Sequence, residues 1–104
     1  MMSKSSTITE IPGFPPVHPG EILKDELADR GLSAARLAAG IDVPGNRISE
    51  IIAGRRAISA DTALRLAAYL GPSAMFWLNL QQSYDLACAQ RDKGAQIAAI
   101  RPAA

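Results

Sequence analysis

The stretch whose reading decides the fold is SAARLAAGIDVPGNRISEIIAGRR, residues 33–56. Ser33 carries the hydroxyl that caps a helix N-terminus, and Leu37 and Ala38 follow in the short helix it opens. The run Gly40-Ile41-Asp42 breaks that helix. Pro44 then opens another and forces Val43 toward extended backbone. Ile48, Ile51 and Ile52 form one apolar stripe, which ends at Gly54. Two short helices joined by a tight turn are the geometry that lays the second helix in the major groove of DNA. The small Ala38 beside the large Leu37 lets the next helix approach, while Ile41 and Val43 anchor the turn. Asp42 stands where such a turn calls for left-handed backbone, a region Asp tolerates better than most residues.

With the isoleucine stripe held inward, Gly45, Asn46, Ser49 and Glu50 face outward and Arg47 lies at the flank. These five are the candidate base readers. Asn pairs with adenine, Arg with guanine, and Glu accepts from the cytosine amino group. Gly45 allows the backbone to come close. Ser33 and Arg36 at the start of the preceding helix, with Arg55 and Arg56 after the reading helix, are the candidate phosphate contacts. Contacts of that kind position a protein on DNA without specifying sequence.

The surrounding sequence extends this motif into an all-α domain of five helices. Length 104 allows one domain with one core, and an alanine- and leucine-rich composition poor in aromatics favours helices. Residues 1–17, with three prolines, read as a flexible arm, and the folded domain runs over 18–93. His18-Pro19-Gly20-Glu21 starts the first helix, with His18 as a cap rather than a metal ligand or catalytic base. Ile22, Leu23 and Leu27 face inward, and Gly31 supplies a left-handed stop. Ser59 caps the fourth helix, along which Ala63, Leu66, Ala67 and Leu70 repeat at helical spacing up to Gly71-Pro72. Ser73 caps a long fifth helix with Phe76, Trp77, Leu80, Tyr84 and Ala87 on one face. The polar, alanine-rich residues 94–104 read as a flexible tail.

Charge is unevenly distributed. From Ser33 to Arg65 five arginines stand against three carboxylates, whereas Met1 to Asp29 holds two lysines against five carboxylates. That contrast suggests two surfaces for two kinds of partner. A single cysteine, Cys88, excludes an intrachain disulfide and a cysteine-rich metal site, and it reads as a packed small residue. Neither a membrane-length apolar run nor a secretory signal is present, so the expected compartment is the cytoplasm. No nucleophile–base pair, metal set or phosphate loop suggests an enzyme, and no cofactor is expected.

Three stretches resemble one family: His18-Pro19-Gly20-Glu21-Ile22-Leu23, Val43 to Arg56 with Ile48-Ser49 and Gly54-x-Arg56, and Phe76-Trp77-Leu78-Asn79-Leu80-Gln81-Gln82-Ser83-Tyr84-Asp85-Leu86. Together they are similar to the HigA/VapI group of antitoxins among the Xre-like, lambda-repressor-like helix-turn-helix regulators. The last stretch is the specific one, since generic Xre domains lack it. The resemblance implies a compact five-helix lambda-repressor-like domain that forms a homodimer on a palindromic operator in double-stranded DNA. It also implies a HigB-type toxin, a small ribosome-dependent mRNA-cleaving endonuclease, as protein partner. Two positions depart from the family pattern. Ala34 stands where Xre proteins commonly have a phosphate-binding glutamine, and Asp42 replaces the turn glycine.

Trp77 and Leu80 read more naturally as core than as a dimer seam, because scarce aromatics are usually packed. The fifth helix is longer than the core needs, which makes Leu78, Tyr84 and Leu86 the candidate dimer contacts. Glu21, Asp25, Glu26 and Asp29, on successive turns of the first helix, are either a solvated face or a docking surface for a basic toxin. The alternative to an antitoxin is a stand-alone repressor of the same helix-turn-helix type without a toxin partner.

Overall fold

In a computed structural model, which describes residues 15–103, the chain forms α1 (Pro19–Arg30), α2 (Ala34–Gly40), α3 (Gly45–Ile52), α4 (Ala60–Leu70) and α5 (Ala74–Ala98). The arm expected over 1–17 lies almost wholly outside the described residues.

Every helix start has a local cause. The Ser33, Ser59 and Ser73 hydroxyls accept from the backbone N–H groups of Arg36, Thr62 and Phe76, each filling a donor the helix end would otherwise leave open. His18 caps α1 by accepting the Gly20 N–H at Nδ1, 2.9 Å away, and Pro19 occupies the first turn, where a missing donor costs nothing. Pro44 precedes α3 in extended backbone and supplies no side-chain cap. Gly31 takes left-handed φ 63°, and Asp42 does the same in the turn at φ 60°.

Leu23, Leu27, Leu37, Ala38, Ile41, Ile48, Ile51, Ala63, Leu66, Leu70 and Trp77 meet in one core, with Ile58 from the α3–α4 loop among them. Helix α1 packs on α3 and α5, α2 on α3, and α4 on α5. The N-terminus of α1 comes so close to the end of α3 that a Cβ on Gly20 would fall 1.8 Å from the Ile51 carbonyl oxygen. Only glycine fits there.

Two expectations for α5 need correction. Phe76 is 41% exposed and stands off the core face. Neighbouring helical residues point about 100° apart, so Phe76 and Trp77 do not share one inward direction. The helix also continues beyond Lys93 to Ala98, because Ala95, Gln96, Ile97 and Ala98 suit a helix and only Gly94 interrupts them. Among the described residues no helix is long and apolar enough to cross a membrane.

Candidate nucleic-acid interface

Burial of Ile48 and Ile51 fixes the rotation of α3 about its axis, and the opposite face carries the polar residues. Gly45, Asn46 and Ser49 are exposed; Arg47 and Glu50 are half-buried at the edges. The Ser49 hydroxyl donates back to the Asn46 carbonyl at 3.2 Å. Glu50 is engaged as well, since its Oε1 accepts from Arg56 Nε at 2.8 Å. Arg47 Nη1 lies 3.7 Å from Asp61 Oδ2 at the start of α4.

The residues expected at phosphates surround this face less uniformly. Ser33 uses its oxygen as the α2 cap, and Arg36 beside it is exposed. Arg55 and Arg56 follow α3 and are exposed, with Arg56 held by Glu50. Arg65, a contributor to the basic balance, is used by the fold instead. Its Nη1 donates to the Ile41 and Asp42 carbonyls at 2.8 and 3.3 Å, and its Nε donates to Asp61 at 3.0 Å. The left-handed turn between α2 and α3 is thereby stapled to α4.

The Trp77-to-Leu86 run proves to be the fastening of α5. Trp77 is fully buried. Gln81 is buried too; its Oε1 accepts the Ile58 N–H at 2.8 Å while Nε2 donates to Asp85 at 2.9 Å. The Tyr84 ring meets the His18 ring edge-on with centroids 4.8 Å apart. Burial lowers the His18 pKa from its usual value, against the opposing pull of the Asp85 and Glu21 carboxylates. A neutral imidazole is also what the cap requires, because Nδ1 must accept.

Leu78, Tyr84 and Leu86 therefore do not form one outer row. Leu78 packs against the core and Tyr84 against His18, leaving Leu86, 65% exposed, as the outward residue. Residues two and six apart on a helix point to different sides. The outward apolar line of α5 is instead Met75, Leu86 and Ile97, all exposed and spaced eleven residues apart, close to three helical turns. That spacing was available in the sequence. On α1, Glu21, Asp25 and Asp29 are exposed, whereas Glu26 is tied to Arg30 at 2.7 Å.

Five helices with a polar-faced third helix after a stapled turn define a helix-turn-helix regulator. The Helix-turn-helix family profile matches residues 23–78, more than half of the chain. Virulence-associated protein I of Dichelobacter nodosus is 52% identical over 81 residues, covering 77% of this chain and 75% of that protein. Antitoxin HigA-1 of Vibrio cholerae is 42% identical over 72 residues, 68% of each. Among solved structures, a HigA-family antidote protein from Coxiella burnetii superposes with TM-score 0.82 at 44% identity, covering 86% of this chain and all of that one. Pseudomonas aeruginosa antitoxin HigA, solved with higBA promoter DNA, gives 0.81 at 45% identity, with 86% and 99% covered. The chain belongs to the Xre-like helix-turn-helix family, in its HigA/VapI branch of antitoxins. That is a family of DNA-binding regulators rather than enzymes.

Proposed function

We propose that this chain is the antitoxin of a type II toxin–antitoxin pair, which represses its own operon as a homodimer on a palindromic operator and neutralises a HigB-type mRNA-cleaving toxin. The observation that carries this reading is the outward polar face of α3, in a fold shared with a HigA bound to promoter DNA. Asn46, Arg47 and Ser49 reach base edges, and Gly45 admits the backbone. Glu50 lies on the same face with one carboxylate oxygen already occupied by Arg56. Ser33, Arg36, Arg55 and Arg56 take phosphates. Two copies join along α5, where exposed Met75, Leu86 and Ile97 support the seam. The exposed carboxylates Glu21, Asp25 and Asp29 offer a basic toxin complementary charge.

The test uses a duplex from upstream of the chain's own reading frame. The Asn46→Ala/Arg47→Ala variant should bind it more weakly, by about 1–3 kcal/mol for each bidentate hydrogen-bonded pair with a base that the substitution removes. Unchanged mobility of the folded variant overturns the assignment of α3. For the toxin, the adjacent gene's product should co-purify with the wild-type chain and be missing from an Asp25→Lys/Asp29→Lys preparation. Failure of any neighbouring product to co-purify favours the stand-alone repressor.

A further inference from the structure

The four arginines flanking the α3 face are not electrostatically equivalent. Arg56 is hydrogen-bonded to Glu50 at 2.8 Å, and Arg47 lies 3.7 Å from Asp61. Among the described residues, neither Arg36 nor Arg55 has such a carboxylate partner. The second pair is looser than the first, and a third residue explains why. Asp61 spends its near approach on Arg65, whose other nitrogen holds the turn carbonyls. Arg65 is thus fixed, and Arg47 is the partner free to leave. The Arg47 and Glu50 side chains are about one-third exposed, so both pairs sit at the edge of the reading face and not beneath it.

Non-specific binding consists almost wholly of phosphate contacts, each releasing a counterion. A carboxylate beside an arginine opposes such a contact twice: it competes for the guanidinium and repels the phosphate. An operator complex has base hydrogen bonds that offset the penalty, and a random duplex has none. We propose that Glu50 and Asp61 are specificity-determining residues that act by restraint, withholding Arg56 and Arg47 from the phosphate backbone of non-operator DNA. This rests on the DNA-binding reading of α3 and gives Glu50 a role other than accepting from a cytosine amino group.

The test compares Kd for the upstream duplex and for a random duplex of equal length, across a salt series. The variants are Glu50→Gln and Asp61→Asn, with Asp92→Asn as control. Asp92 pairs with Arg91 far along α5, so the control changes net charge by the same amount at another place. Glu50→Gln and Asp61→Asn should each tighten random-duplex binding about fivefold at low salt and steepen its salt slope by about one. Operator binding should tighten less, so the operator-to-random ratio falls. Three results overturn the proposal. An equal gain in Asp92→Asn makes the effect one of net charge alone. Weaker operator binding by Glu50→Gln with unchanged random binding makes Glu50 a base reader. A lowered unfolding midpoint in Asp61→Asn, with both duplexes bound more weakly and Glu50→Gln silent, makes the two carboxylates structural. Wild-type protein that binds neither duplex refutes the DNA-binding reading itself.

Discussion

His18 shows how much one residue can hold. Its Nδ1 caps α1, its ring packs against Tyr84 of α5, and a Cβ on Gly54 after α3 would come within 3.9 Å of it. The capping role was legible, because Pro19-Gly20-Glu21 spells a helix start in residue types alone. The need for glycine at position 20 was not, since the Ile51 carbonyl that excludes a side chain comes from a distant helix. The pH consequence follows from the lowered His18 pKa. The folded state takes up the His18 proton less readily than the unfolded chain, whose histidine titrates near ~6.5. This contribution to stability is therefore complete above about pH 6.5 and declines as pH falls through the folded-state value. The thermal midpoint of the wild type should drop as pH is lowered from neutrality through the mildly acidic range. His18→Asn, which keeps a cap acceptor and cannot titrate, should flatten that slope. An equal slope in both proteins would assign the dependence to other groups.

Among the elements, α1 to α4 were readable because each carries its own punctuation: Pro19, Gly31, Ser33, Pro44, Ser59 and Gly71 stand at or next to helix ends. Helix α5 was harder. Its inward line includes Gln81, and a polar residue inside a helical repeat looks like surface until its partner is known. That partner is the N–H of Ile58, in a loop whose buried position no periodicity announces. Gln81→Leu keeps the volume but leaves this buried N–H without its acceptor, which costs about 1–3 kcal/mol. The cost should appear as a lower urea midpoint with an unchanged slope. The outward face of α3 was legible for a matching reason: Ile48 and Ile51 dictate which way the helix turns. The ion pairs across that face were not, because Asp61 and Arg56 lie outside α3 and meet it only in the folded chain.

For the molecule as a whole, the long axis of 52 Å against 24 Å in the other directions reflects α5 running past the bundle. From residue 89 to 103 nearly every position is exposed. A single-chain core does not require that extension. A single reading helix also covers too few bases to select one site, whereas two copies held about 34 Å apart read two half-sites of a palindrome. The seam proposed along α5 would answer both points, since Met75, Leu86 and Ile97 lie on one line over six turns and stand outside the core. Leu86 is the middle of that line and the residue to change. Leu86→Arg leaves the core packing intact, so the monomer's unfolding midpoint at high dilution should match the wild type's. Sedimentation at micromolar concentration should show a monomer, and the operator footprint should shrink to a weakly protected half-site. A Leu86→Arg protein that sediments as a dimer with a full footprint would place the two-fold seam elsewhere. The exposed Leu64 and Tyr69 of α4 would then be the next surface to test.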